Sequence, residues 1–306
     1  MSNQDLIKKN LLEKVADLHE IPAGAYNIRE NSESAGRRST EDIRIDSKED
    51  APGIVVTVKD GTKNKSVHIP VVITESGITE TVYNDFFIGR DCDVLIVAGC
   101  GIHTSGDKAS AHDGVHVLHV GENSKVKYVE KHYAEGTGDR SMKPEMKVDL
   151  APGASIDIET VQLGGVSDSV RVTEINAAEN SAVNITERIM TDGNETVESK
   201  TTVNLNGNAS SARINSRSVA RGNSNQIFYP AITGNSECFG HVQCDSVIMD
   251  SARVRSIPEV CANSTDARLI HEAAIGRIAG DQILKLMTLG LSAEEAEERI
   301  IAGLLK

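Results

Sequence analysis

The 306-residue chain carries 45 acidic against 32 basic residues, a formal net charge of −13, with 3% aromatic residues and no tryptophan. A chain this acidic, whose densest basic cluster is Arg37-Arg38, lacks the stripe that a nucleic-acid groove needs. No apolar run approaches the roughly 20 residues of a bilayer span, no signal-peptide apolar segment opens the sequence, and five cysteines form no regular framework, so a cytoplasmic protein with thiols or ligands rather than disulfides is expected.

Residues 3–20 predict an amphipathic helix, because Ile7, Leu11, Val15 and Leu18 recur at helical spacing and Pro22 and Gly24 close the segment. This makes 1–26 an N-terminal helical segment. The stretch from Asn27 to Pro52 is polar, charged and without a period, and predicts a linker or mobile loop over 27–52. The β-rich runs IVVTV, SVHIPVVIT and DVLIVAG follow, the first two separated by a turn around Asp60-Gly61.

From there a repeat organises the chain. GENSKVKYV, APGASIDIE, AENSAVNIT, NGNASSARI, TGNSECFGH and CANSTDARL each place an Asn/Gly corner before short alternating strand residues. The corners at Asn123, Gly153, Asn180, Asn208, Asn235 and Asn263 are separated by 30, 27, 28, 27 and 28 residues, and Asp91 marks an earlier copy 32 residues back. A β unit of this length is too thin to bury its own face and is stable only when stacked, which predicts a parallel β-helix over 53–270, taken as right-handed. An antiparallel sandwich with similar turns is the competing reading, and the near-constant gap argues against it.

Rungs of a β-helix lie about 4.8 Å apart, so residues one period apart stack. Cys244 lies nine residues after Asn235, and Glu272 lies nine after Asn263. That register makes the thiol and the carboxylate neighbours; a slip of one residue puts His271 in place of Glu272, and only one of the two can share the Cys244 face. Cys261, just before a corner, is a weaker candidate. A thiolate beside an imidazole or carboxylate suits iron, zinc or a cluster, whereas a lone buried cysteine is a small hydrophobe.

A second constellation, Cys92, Cys100, His103, His112, His116 and His119, holds four of the nine histidines. Cys100 and His103 have the spacing of a metal clip, and on a strand His112 and His116 share a face while His119 points away. A metal or sulfur site at Cys100, His103, His112 and His116 competes with ordinary strand histidines beside a Gly-rich loop.

Over 271–306 the chain predicts a C-terminal helical domain. Ile275 to Leu289 reads as one helix stopped by Gly290. Ser292 and Glu295 form a capping box for the next helix, whose stripe is Ala296, Ile300 and Leu304. Such helices either cap the last rung or dock a partner.

The segments SRSVARGNSNQIFYPAITG, HVQCDSVIMD and LIHEAAIGRIAGDQILKLMTLGLSAEEAEERIIAGLL resemble the C-terminal half of SufB and SufD proteins, the scaffold subunits of SUF-type iron–sulfur cluster assembly. The detailed likeness covers about residues 216–305 and extends weakly back to about 120. The resemblance implies a parallel β-helix core, C-terminal helices that dock a SufC-type ABC ATPase, and side-by-side pairing of two scaffold subunits. It also implies that Cys244, His271 and Glu272 match positions forming a nascent, transient iron–sulfur cluster, and that Ile300 and Leu304 face the ATPase. The chain departs from the longer members: KVDLAPGASI, which aligns with an upstream family cysteine, has none, so sulfur entry through that position is in doubt. A minimal single scaffold acting as a homodimer is the resulting expectation, with Cys244 of one protomer and His271 of the other meeting across a two-fold, and with a sulfur donor and apo-protein acceptors as further partners.

No GxxxxGK[ST] loop is present, so ATP dependence must come from a partner and no nucleotide is expected on this chain. The expectation is a scaffold and not an enzyme. The rival classes are a β-helix lyase or acyltransferase, disfavoured by scarce aromatic platforms and the lack of a hexapeptide repeat, and a zinc-storing or structural solenoid.

Overall fold

The computed structural model describes residues 3–305. It is mostly β, 58% strand, and forms a β-solenoid of about eight turns with one N-terminal and two C-terminal helices. Successive strands alternate between two long sheets. One sheet runs from the hairpin Ala25–Glu30/Glu33–Arg38 to the strand Arg268–Gly276, and the other runs from Ile43–Ser47 to the pair Arg253–Ser256 and Glu259–Ala262. Between these ends every neighbouring pair is parallel, as stacking predicts.

Strict alternation decides which side chains are inside. In Ala182–Thr191 and its neighbours, every second residue is buried between the two sheets. One inner lane is apolar, with Ile96, Tyr128, Ile158, Ile185, Ile214 and Val242 stacked rung on rung. The next lane is polar, running Ala98, Glu130, Thr160, Glu187, Ser216 and Cys244. The interior therefore sets a polar lane beside apolar ones.

The corners match the repeat, with one shift. Asp91, Asn123, Gly153 and Asn180 all have positive φ, between 53° and 71°, the left-handed conformation that Asn, Asp and Gly tolerate best. At the next corner Ala209, not Asn208, takes that conformation. Asn235 and Asn263 serve differently, in a side-chain amide ladder from Asn206 through Asn235 to Asn263 with 2.7 Å steps.

The stretch 27–52 is not a linker. It contains the hairpin partner strand Glu33–Arg38 and the strand Ile43–Ser47, which pairs antiparallel with Gly53–Val58. Ile43 and Ile45 are buried while Arg44 and Asp46 alternate outward, and the Arg37 guanidinium bonds Asn27 Oδ1 and Ser47 Oγ at 2.9 and 2.7 Å. The polar composition is that of strands closing a sheet end, where charge blocks further pairing.

Helix α1, Asn3–Ala16, lies on the outside of the first sheet with Leu11 and Val15 fully buried. It can approach because the strand beneath carries Gly99 and Gly101: a Cβ at Gly99 would stand 2.5 Å from the Val15 carbonyl oxygen. The tail also differs from expectation. Strand Arg268–Gly276 continues past residue 271, so the first C-terminal helix, α2, is only Gly280–Met287. Helix α3, Ala293–Leu304, has the expected capping box between Ser292 and Glu295.

Candidate functional site

The last two rungs place the cysteine, histidine and carboxylate that the sequence singled out. Cys244 lies in register with Ser216 on one side and Ala273 on the other. Neither Glu272 nor His271 stacks on it: Glu272 pairs with Gln243, and His271 with Val242. The expected register fails by one residue because the Asn263 corner is longer. Phe239 stands four residues after Asn235, whereas its partner Arg268 stands five after Asn263.

Alternation then separates the two candidates. His271 ends the isoleucine lane on the inner face that Cys244 also occupies, a diagonal neighbour with Cα atoms roughly 8 Å apart from rung spacing and rise. Glu272 faces out, where its Oε2 lies 3.3 Å from His241 Nε2. Cys261 pairs with outward-facing Thr233, and its thiol is directed to Asn263 Oδ1 at 3.5 Å. Cys261 is therefore not in the Cys244 cluster.

Two buried atoms on these rungs lack partners. His271 Nε2 has no hydrogen bond, and neither does the hydroxyl of Ser256, an inward residue of the opposite sheet. Burial pushes the Cys244 thiol up; the nearby Ser256 hydroxyl opposes that shift, and the charges of Glu187 and Asp245 add to it. Cys244 is 1% exposed, yet Ala273, directly over it, is exposed on the final rung, so only a methyl separates the sulfur from the open end of the solenoid.

The second constellation divides. His103 is on the outer side of its strand, with Nδ1 3.1 Å from Glu135, while Cys100 is buried inside, so the two do not form a clip. His119 is outward and stacked on Phe87 at 5.1 Å. Cys92 is a corner thiol donating to the Lys59 carbonyl at 3.1 Å. His112 and His116 do share the interior, as expected. His112 Nδ1 meets Glu80 at 3.1 Å, and His116 Nδ1 meets the Tyr128 hydroxyl at 2.7 Å.

Sequence reasoning missed the residues that bind this interior together. Arg171 donates to Glu130 at 2.5 Å and to His132 Nδ1 at 3.3 Å, all three buried. Burial opposes the Glu80 charge, but hydrogen bonds from His112 and Arg29 outweigh it and hold the carboxyl down to about 2. Burial lowers His116 to about 4 against the pull of Glu130, and it pushes the Cys100 thiol well up. Among the described residues no three His, Cys, Asp or Glu side chains stand close enough to hold a metal ion. The signal for this network was present as inward-phase polar residues one period apart, Glu130, Thr160 and Glu187.

The chain is a parallel β-solenoid whose last rungs bring Cys244 and His271 onto one inner face, with His271 Nε2 buried and without a hydrogen-bond partner. Residues 86–304 match the SufBD core domain of the SUF iron–sulfur cluster assembly system. The chain belongs to the SufBD family of iron–sulfur cluster assembly proteins. It is 31% identical over 253 residues to a SufBD family protein of Methanocaldococcus jannaschii, covering 82% of this chain and 79% of that one. It is 28% identical to one of Pyrococcus horikoshii, over 76% of this chain and 71% of the relative, and 26% identical to one of Archaeoglobus fulgidus, over 87% and 71%. Among the described residues no helix is long and apolar enough to cross a membrane.

Proposed function

We propose that the chain is a scaffold rather than an enzyme, on which a transient iron–sulfur cluster is built at Cys244 and His271 and passed to apo-protein acceptors. The observation that carries this reading is the shared inner face of Cys244 and His271 on the last rungs, with His271 Nε2 buried and unpartnered. A buried ring nitrogen without a partner is costly, and a soft or borderline metal satisfies it together with the thiolate. Two side chains do not complete a cluster's ligand set, so the remaining ligands come from sulfide, from a second copy, or from Glu272 after a local shift.

A second copy fits the same end. The strands Arg268–Gly276 and Arg253–Ser256/Glu259–Ala262 are the last of their sheets, with exposed Ile257, Val260, Ile270 and Ile275 along them. Such edges pair readily with another chain, and two-fold pairing would bring two Cys244/His271 sets together. Docking of a SufC-type ATPase falls to the C-terminal helices. Helix α3 turns Ala296 and Ile301 inward and leaves Ile300 and Leu304 half-buried, while α2 buries no residue and exposes Leu284 and Met287. The nucleotide belongs to that partner.

The test is anaerobic purification with and without a co-expressed SufC-type ATPase, followed by iron and sulfide analysis. Co-purification of the ATPase with iron and acid-labile sulfide on the scaffold is expected. A protein that binds neither overturns the reading.

A further inference from the structure

Gly114 is the one inward position of strand Ser110–Val120 without a side chain, and it falls between His112 and His116. Its φ lies outside the left-handed region, so backbone freedom does not explain the glycine. Space does. A Cβ there would stand 3.0 Å from His116 Nε2 and 3.9 Å from His112 Nε2, so both rings converge on the place where a side chain would be. That place belongs to a cavity of about 20 Å³ whose polar walls are Asn84, Cys100, His112, His116, Glu130 and His132. An apolar hole of this size stays dry, whereas a polar one larger than about 10–15 Å³ holds a water when two to four groups can bond it.

The hydrogen bonds already made decide which groups those are. The Glu80 carboxylate can only accept, so His112 donates to it from Nδ1 at 3.1 Å and turns Nε2 to the cavity. Asn84 Oδ1 accepts from the Ile54 amide at 3.2 Å, which aims its Nδ2 at His116 Nε2, 3.3 Å away. His116 Nε2 is thereby served, and His112 Nε2 is the ring nitrogen with capacity to spare. Glu130 takes Arg171 on one oxygen and His132 on the other, and each carboxylate oxygen has a second lone pair. We propose that the cavity beside Gly114 is an internal hydration site, in which one ordered water bonds His112 Nε2 and Glu130 and so joins the Arg29–Glu80–His112 chain to the Arg171–Glu130–His132 cluster. Among the described residues no hydrogen bond links these two groups directly. A water suits His112 in either protonation state, since it accepts from an Nε2–H and donates to an Nε2 lone pair. The inference is independent of the reading of Cys244 as a ligand.

A high-resolution crystal structure of the full chain tests the site without any variant. It should show a single peak at hydrogen-bond distance, about 2.7–3.2 Å, from His112 Nε2 and without anomalous signal. No peak overturns the proposal, and so does an anomalous peak at about 2.0–2.1 Å, the distance of a zinc–imidazole bond. In solution, oxygen-17 relaxation dispersion should count one fewer long-lived water in Gly114→Ala than in the parent, and equal counts contradict the assignment. Gly114→Ser supplies its own hydroxyl to the same space. Both variants carry the same Cβ contact with His116, so their difference isolates the polar group: Gly114→Ser should unfold at a higher temperature than Gly114→Ala. The reverse order is that of a dry cavity and overturns the proposal. If neither variant folds, the peak beside His112 in the parent crystal decides.

Discussion

Cys244 stacks on Ala273, one residue beyond the glutamate that corner counting would put there. This single step decides which neighbour shares the sulfur's face. It turns His271 inward with Cys244 and Glu272 outward to His241. His271→Ala should therefore reduce reconstituted iron and sulfide far more than Glu272→Ala. Visible absorbance and metal analysis of the two variants side by side check the order, and a larger loss in Glu272→Ala contradicts it.

The buried pair of Arg171 and Glu130 should be fragile to the removal of one partner. Arg171→Met leaves a fully buried carboxylate without its cation and should cost about 3–5 kcal/mol, read as a lower denaturation midpoint. Adding Glu130→Gln to Arg171→Met removes the stranded charge and should recover most of that loss. A double variant no more stable than the single one would show that packing, not charge, sets the cost.

Acid should weaken the solenoid from the histidine range downward. His116 titrates near 6.5 when unfolded but is held at about 4 when folded, so the native state refuses a proton that the unfolded chain accepts. Its contribution is complete above pH 6.5 and is lost as pH falls towards 4, worth on the order of 3 kcal/mol. Glu80, lowered from 4.5 to about 2, extends the loss below pH 4.5. Unfolding midpoints across pH 7.5 to roughly 4 should fall in the parent and fall less steeply in His116→Gln, the remaining slope coming from His68 and His132, which burial also lowers.

Gly99→Ala should loosen α1. The new Cβ would meet the Val15 and Lys131 carbonyl oxygens at 2.5 and 2.7 Å, both backbone atoms that cannot rotate away. A cost of about 1–3 kcal/mol is expected, with faster proteolytic release of the N-terminal segment. Unchanged cleavage would mean that the helix rides on the sheet without close contact.

The solenoid itself was legible because its corner is a backbone conformation. Asp91, Asn123, Gly153 and Asn180 advertise positive φ in their side chains, and their spacing is the rung length. Register was less legible, since it depends on how many residues the chain spends between corner and strand. The extra one among Ser264, Thr265, Asp266 and Ala267 has no distinctive chemistry. The 27–52 segment misled because polar composition describes both mobile loops and closing strands; Ile43 and Ile45 were its only alternating signal. The α2 boundary was misplaced because Ile275 fits a helical stripe and a final strand equally well. The interior polar lane was missed because glutamate and arginine at inward positions contradict the ordinary reading of a buried strand.

The ATPase-docking proposal predicts a division between the two tail helices. Leu284→Asp with Met287→Asp changes exposed side chains and should abolish capture of a SufC-type ATPase while leaving thermal unfolding unaltered. Ile301→Asp places charge at a buried position and should disrupt the helical pair itself. Capture that survives the α2 changes and is lost with Ile300→Asp and Leu304→Asp instead would move the contact to α3.

The central claim is that Cys244 holds the nascent cluster, and anaerobic reconstitution of Cys244→Ser with iron and sulfide tests it most directly. The substitution keeps the size of the side chain and removes the soft ligand, so cluster absorbance and bound sulfide should fall to background while the unfolding midpoint stays close to that of the parent. Full loading of Cys244→Ser, or normal loading with a large loss of stability, would show that the thiol is only part of the core.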